Sequence, residues 1–551
     1  MINTLRRRNT TAERVAGITR WLDSRLILSR TLRAAMNKVF PDHWSFLLGE
    51  IALYSLVILI LSGTFLALWY TPASTEVVYH GSYTPLRGVP MSRAYQTSLD
   101  LSFDVRGGLI MRQIHHWAAL LFMAGIVAHM FRIFFTGAFR RPREINWVIG
   151  ITLFWLGFAE GFFGYSLPDD ALSGTGLRIA NAIVLSVPVI GTWLATSLFG
   201  GEFPGAEILP RLYIAHVLII PGLLLALVAA HLGILIKQKH TQWPGPGRTE
   251  HNVVGERMVP GFAIRSTGFF MFVAGLLALL GGIFQINPIW IYGPYQAAVV
   301  SAASQPDWYV WFMDGALRLM PPWEIRAGPY TVPPAFWAGA VLVGVITVLA
   351  LVYPWVEQRK IYPSQPHHLL QRPRDVPTRT ALGTMAVAFY VVFALSAAND
   401  VIAFKFNISL NATTWAGRIG ALLVPPIAYW ITYRVCLALQ QHDREVLVHG
   451  METGIIRRLP SGKFVEVHQP LGPVDEAGHG ELPYAGWTVP KRVNRVGGMA
   501  PAIRGFFLPI EEPAGQPDGH RDRARAEREK AHAGSGGVPA QREPEHERER
   551  R

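Results

Sequence analysis

Residues 111–132 read MRQIHHWAALLFMAGIVAHMFR and residues 211–231 read RLYIAHVLIIPGLLLALVAAH. Each run sets two histidines among residues otherwise apolar enough to cross a bilayer, with an arginine close to the first histidine. Ionisable side chains inside a membrane helix are costly and normally face the bundle interior, where they serve a function. A lone histidine there is more often a hydrogen-bonded packing residue, but four at matched spacing argue for ligands. His115 and His129 are 14 residues apart, and His216 and His231 are 15 apart. At the α-helical repeat, each pair returns to within about 40° and about 60° of one face, roughly 21–22 Å apart along the axis. Each helix therefore presents one histidine near each membrane surface. His116 lies about 140° away from the face of His129 and is not expected to be a ligand.

The rest of the chain supports a membrane reading. Of its 551 residues 50% are hydrophobic and 16% charged, against roughly 25% charged in a soluble domain, yet the formal net charge is +13. A bilayer is crossed by about 20 mostly apolar residues. Eight stretches qualify, at about 46–69, 108–135, 146–163, 210–236, 263–285, 334–354, 380–397 and 415–436. One set of connecting segments holds the Arg-rich N-terminus, Arg140-Arg141-Pro142-Arg143, Lys237, Lys239, Arg248, Arg257, Arg359, Lys360, Arg372 and Arg374. The other set is longer and holds mainly Arg87, Arg93, Arg106, Arg178, Arg318, Arg326 and Lys405. Basic loops stay in the cytoplasm, so both termini are expected inside and the long loops outside. The charge thus reads as topology and not as a nucleic-acid footprint. The single cysteine, Cys436, excludes an internal disulfide, a cluster held by several thiolates, and haem attached through Cys-x-x-Cys-His.

The expected architecture is an all-α integral membrane protein with eight transmembrane helices. Residues 1–44 form a cytoplasmic N-terminal segment without a signal-peptide pattern, in which Val15, Ile18, Trp21 and Leu22 share one face. That face marks either an interfacial helix or part of a solvated leader. Residues 45–240 form a four-helix bundle, 241–262 a cytoplasmic linker, 263–436 a second four-helix block and 437–551 a cytoplasmic tail. In the outer loop 165–209 a helical run is expected over Leu185–Leu198. In the outer loop 286–333 an amphipathic stretch is expected from Asp307 to Met320, and in the tail a hairpin at 447–468. The tail is expected to be disordered after about residue 511.

Gly49 and Gly63 are 14 apart on the first span, as are Gly150 and Gly164 on the third, and these helices run opposite to the histidine helices. Gly49, Gly150, His129 and His231 therefore share the inner level, and Gly63, Gly164, His115 and His216 the outer. Glycine pairs mark either close helix packing or the close approach of a flat cofactor. Matched in depth with the histidines, they favour two stacked planar macrocycles: two non-covalent haem b groups with bis-imidazole ligation. Arg112 and Arg132 each stand three residues from a ligand, suited to haem propionates, although Arg132 could instead snorkel to the interface.

These features resemble cytochrome b of the respiratory and photosynthetic cytochrome bc complexes. The matching motifs are Trp44-Ser-Phe-Leu-Leu-Gly49, Gly63-Thr-Phe-Leu-Ala-Leu-Trp-Tyr70, Arg112-Gln-Ile-His115, His129-Met-Phe-Arg132, Gly164-Tyr-Ser-Leu-Pro168, Arg211-Leu-Tyr-Ile-Ala-His216 and Pro306-Asp-Trp-Tyr309. The resemblance implies oxidation of a quinol at an outer site. One electron would pass to a Rieske iron–sulfur protein, the other through the two haems to an inner quinone site. It makes Pro306-Asp307-Trp308-Tyr309 the counterpart of the family's Pro-Glu-Trp-Tyr, with Asp307 as proton acceptor one methylene shorter. Tyr309 would hydrogen-bond the quinol, and Tyr165 and Pro168 would wall the pocket. For the inner site it offers Lys237, His240 and Arg265, but the fifth span lacks the family's acid.

The 15-residue spacing resembles the photosynthetic and several bacterial groups, while eight spans in one chain resemble the respiratory form. The long basic tail and Pro321-Pro-Trp-Glu324 resemble the actinobacterial form. That implies menaquinol as donor, a dihaem cytochrome c partner, a homodimeric complex and association with a terminal oxidase. The competing readings are a dihaem membrane anchor of another quinone-linked oxidoreductase and a proton-coupled transporter.

Overall fold

The computed structural model describes residues 11–26, 33, 35–245, 247–299, 305–361, 366–470 and 510–512. The chain divides into two compact units, Met1–Gln440 and Gln441–Arg551. Eight helices are long and apolar enough to cross a membrane: Trp44–Ala67, Gly108–Thr136, Glu144–Ser166, Ile208–Gln238, Met258–Ile283, Phe336–Gln358, Pro377–Ala397 and Leu410–His449. They are called the first to eighth spans below. Most of their apolar surface stays uncovered by the protein itself, as befits helices solvated by lipid.

Close approach organises the first four spans. A Cβ on Gly125 of the second span would lie 2.9 Å from the backbone nitrogen of Ala52 in the first. At Gly157 of the third, a Cβ would lie 3.1 Å from Met123 in the second. Ala52, Leu56, Phe122 and Met123 pack there with Tyr309 and Val310 from the loop after the fifth span, so core and loop are one cluster. The fifth span lies against the first two, with Val273 and Leu277 packed against Tyr54 and Ala118. The second span ends at Gly137, whose positive φ of 65° supplies the left-handed residue that stops a helix.

The fourth span is not a continuous α-helix. Residues Ala215–Ile219 form a π-turn, which inserts one residue without turning the rest of the helix. That turn explains the uneven histidine spacing. One of the 15 steps is absorbed, so His216 and His231 stand to each other as residues 14 apart do on the second span.

In the loop after the third span, the expected helical run over Leu185–Leu198 is broken. Helices occupy Ala171–Leu185 and Gly191–Phe199, interrupted where Pro188 and Val189, with φ of 70°, cannot continue the turn. The earlier helix starts at a reciprocal cap: Asp170 accepts from the Ser173 amide at 2.7 Å, and the Ser173 hydroxyl serves the Asp170 amide. The amphipathic stretch after Asp307 folds as a 3-10 turn, Trp308–Val310, leading into the helix Trp311–Leu319. The eighth span runs past its expected end, as one helix from Leu410 to His449 with Pro425 and Pro426 inside it.

At the end of the bundle carrying His129 and His231, the connectors after the second, fourth and sixth spans are tied together. The Gln242 amide donates to His368 and the Leu370 amide to Gln242, and Arg143 reaches the carbonyl of His367 at 2.7 Å. In the second unit, Met451–Arg458 and Phe464–Gln469 form the expected antiparallel hairpin, and Ile510–Glu512 pairs parallel to Met451–Arg458. Thr11–Leu26 is a helix with Ile18 and Trp21 exposed. Val15 and the residues after 512 lie outside the described side chains and residues, respectively.

Candidate functional site

The second and fourth spans bring the four histidines together as two pairs. His115 and His216 have ring centroids 6.1 Å apart with planes at 80°, and His129 and His231 are 6.4 Å apart at 74°. A metal bonded to two imidazole nitrogens at about 2 Å each sets the centroids about 6 Å apart. Both gaps therefore have the size of one ion with an imidazole on either side. Three glycines abut these rings: a Cβ would come within 3.1 Å of His129 at Gly49, 3.1 Å of His115 at Gly63, and 2.4 Å of His216 at Gly164. Gly150 faces open space instead, with no atom within 4 Å of its Cβ position.

The arginines fit an anionic group as well. Arg112 donates to the Asn287 carbonyl at 3.1 Å, yet its Nε is buried without a partner. Arg132 lies over the Phe46 ring at 4.3 Å, and its Nε and Nη2 are both buried without partners. A buried guanidinium left short of hydrogen bonds is costly, and Arg132 does not snorkel out. Planar groups bearing carboxylates, with iron between the imidazoles, match the ring spacings and the unpartnered arginine N–H groups, so the residues present fit haem b.

At the outer level a cavity of about 280 Å³ is lined by His115, His216, Arg112, Glu160, Tyr165 and Asp307, with Pro168 at its wall. Asp307 faces His116 of the second span, whose Nε2 lies 3.1 and 3.2 Å from the two carboxylate oxygens. The Tyr309 hydroxyl donates to the same carboxylate at 3.3 Å, and Tyr309 itself is only 3% exposed. Gly161 makes room for that hydroxyl, since a Cβ there would lie 2.4 Å from it. The loop is anchored through its backbone: Trp311 donates to the Pro306 carbonyl and Tyr390 to the Trp308 carbonyl, each at 2.6 Å. Pro306, Trp308 and Tyr309 thus stand behind Asp307 and do not line the cavity.

Two contacts escaped the sequence reading. His116, set aside because it leaves the ligand face, meets a carboxylate 191 positions away. Glu160 of the third span places Oε1 at 3.1 Å from Nδ1 of His216, beside its own backbone carbonyl at 3.0 Å. The signal for Glu160 was an acid within a membrane span, which went unused.

The inner candidates do not converge. Lys237 is exposed at the end of the fourth span. Arg265 pairs with Asp42 at 2.9 Å and also with Glu256. His240 packs edge-on against Phe40 and Phe46, at 5.2 and 5.4 Å. Burial, with Arg132, Arg143 and Lys38 nearby, holds its imidazole down to about 3.

Eight spans, histidines paired at two levels and a carboxylate loop beside one pair define a polytopic membrane protein whose residues fit planar metal cofactors. A family model described as "Cytochrome b(N-terminal)/b6/petB" matches residues 120–294. The chain is 57% identical over 493 residues to the cytochrome bc1 complex cytochrome b subunit of Corynebacterium efficiens, covering 89% of this chain and 91% of that one. The subunit of the same description from Mycobacterium tuberculosis is 57% identical over 92% of this chain and 93% of its own. That from Streptomyces coelicolor is 49% identical, over 83% and 84%. Among solved structures, a chain of a hyperthermophilic respiratory Complex III shares the fold, with a TM-score of 0.54 and 21% identity, over 75% of this chain and 99% of that one. The chain belongs to the family of cytochrome b subunits of cytochrome bc1 complexes. It is a multi-pass membrane protein and the oxidoreductase subunit of such a complex, and the family binds haem b.

Proposed function

We propose that the chain oxidises a quinol, menaquinol by its resemblance to the actinobacterial form, at the outer cavity. One electron of each quinol leaves to a Rieske partner, and the other crosses the membrane within the chain to an inner quinone site. The protons released outside contribute to the proton gradient. The observation that carries this reading is the two imidazole pairs, with ring centroids 6.1 and 6.4 Å apart, at two levels of the same two spans. Haem b bound at each level supplies a one-electron relay. His115 and His216 would hold the outer group and His129 and His231 the inner one. Arg112 and Arg132 offer their unpartnered N–H groups to propionates. Gly49, Gly63 and Gly164 keep the histidine faces free of side chains, and Gly150 leaves space open at the inner level.

At the outer cavity, Asp307 takes a proton from the quinol hydroxyl. His116 and Tyr309 hold its carboxylate in place, and Tyr165 and Pro168 wall the cavity. Pro306 and Trp308 fix the loop through their carbonyls. Of the inner candidates, His240 stands nearest the machinery, since it and Arg132 flank the same Phe46 ring. Residues 45–240 form the haem-binding bundle and residues 263–436 the block carrying the outer loop. The protein sits in a bacterial cell membrane with both termini cytoplasmic. It works as a homodimeric complex with Rieske and dihaem cytochrome c subunits, beside a terminal oxidase.

A dithionite-reduced minus oxidised spectrum of the purified complex tests the reading. It should resolve two b-type components with distinct potentials. A single component would leave one histidine pair without a function, and none would favour a transporter.

A further inference from the structure

The outer histidine pair differs from the inner pair in its hydrogen-bond partners. Nδ1 of His115 meets the Ser62 hydroxyl at 2.9 Å, and that hydroxyl donates its proton to the Ile58 carbonyl, so it accepts from the ring. Nδ1 of His216 meets Oε1 of Glu160 at 3.1 Å and the Glu160 carbonyl at 3.0 Å. Among the described residues, no carboxylate pairs with His129 or His231. Glu160 is not otherwise secured: its Oε2 is buried without a hydrogen-bond partner, and the side chain lines the outer cavity.

We propose that Glu160 is a positioning residue whose carboxylate stands beside the carbonyl that accepts from the His216 Nδ1–H and lowers the reduction potential of the outer haem. The inference rests on the assignment of His216 as an outer ligand. With Nε2 bonded to a metal, the proton of a neutral imidazole sits on Nδ1, where the Glu160 carbonyl accepts it, and the carboxylate beside it raises the ring's donor strength. A negative charge at this distance, in a site of low dielectric, also favours the ferric state, which carries one more positive charge than the ferrous. Both effects lower the potential of the outer centre alone.

The test is a redox titration of the whole complex, followed optically and by electron paramagnetic resonance, for the wild type, Glu160→Gln and His216→Ala. Glu160→Gln keeps an acceptor oxygen but removes the charge. It should retain both low-spin haems and shift the outer reduction equilibrium about tenfold toward the ferrous form, about 59 mV upward for a one-electron couple. The inner potential should stay where it is. An unchanged outer potential with both haems intact would overturn the proposal while leaving the ligand assignment standing. Retention of the outer haem in His216→Ala would instead overturn the assignment beneath it. If Glu160→Gln cannot hold the outer haem, Glu160→Asp carries the reading. It should raise the outer potential in the same direction by a smaller factor, and no shift would again count against the proposal.

Discussion

In the proposed reaction Asp307 is the proton acceptor of the cavity it lines. It lies between His116 on a membrane span and the buried Tyr309 hydroxyl, and opens to the cavity from a loop pinned through the Pro306 and Trp308 carbonyls. Replacing it by Asn keeps the shape and removes the proton acceptor. Quinol oxidation should then slow by roughly a hundredfold, the low end of what a positioned base contributes. Both haems should stay bound, as a difference spectrum would report. Loss of a haem would mean that the residue supports the bundle instead. The pairing of the four histidines was legible because histidines at membrane depth are rare and their spacing repeats. The contacts of His116 and Glu160 were not. The partner of His116 lies 191 positions away, and nothing in local periodicity encodes such a meeting.

At the scale of elements, the spans were legible from hydropathy and length, since a bilayer demands both. Irregularities inside them were not. The π-turn at Ala215–Ile219 leaves no hydropathic trace, because all five residues but His216 are apolar. It makes a definite prediction. Deleting Leu218, which is exposed on the turn, should convert it to regular α-helix and leave His216 and His231 aligned at 14 residues. The variant should keep both b-type components, and loss of the outer one would contradict the account of the spacing. Gly125 makes another. An alanine there meets the Ala52 backbone at 2.9 Å, which cannot yield as a flexible side chain would. Forcing the first and second spans apart should cost about 1–3 kcal/mol, read as a lower thermal midpoint of the complex. The break between Leu185 and Gly191 was missed because apolarity continues across Pro188, although that proline was itself a warning.

The connectors at the His129 end bear on pH. Burial holds His240 down to about 3, and burial together with Arg143 holds His368 down to about 4. Both therefore fold neutral, while the unfolded chain takes up protons below about 6.5. The unfolded state thus binds more protons between about 4 and 6.5, and stability falls as pH falls through that window. The thermal midpoint of the complex should drop on acidification there, and His240→Gln should flatten the slope. A slope unaffected by that change would remove His240 as a contributor.

As a whole molecule the chain is half of a redox machine. Its only cysteine, Cys436, is buried, so no iron–sulfur cluster or covalently attached haem can reside in it. Transfer from quinol to cytochrome c must therefore involve the other subunits of the complex to which its family belongs. The isolated chain loaded with haem should show no quinol–cytochrome c reductase activity. The basic balance of +13 falls in the N-terminal segment and in the connectors at the His129 end, whereas the tail after residue 436 carries as many acidic as basic side chains.

The central claim is that two histidine pairs, one at each depth, hold two separate haems. Spectra of the purified complex carrying His216→Ala or His231→Ala test it most directly. Each variant should lose one b-type component and keep the other, the outer one for His216 and the inner one for His231. Loss of both components together, or of the same one in both variants, would contradict the pairing.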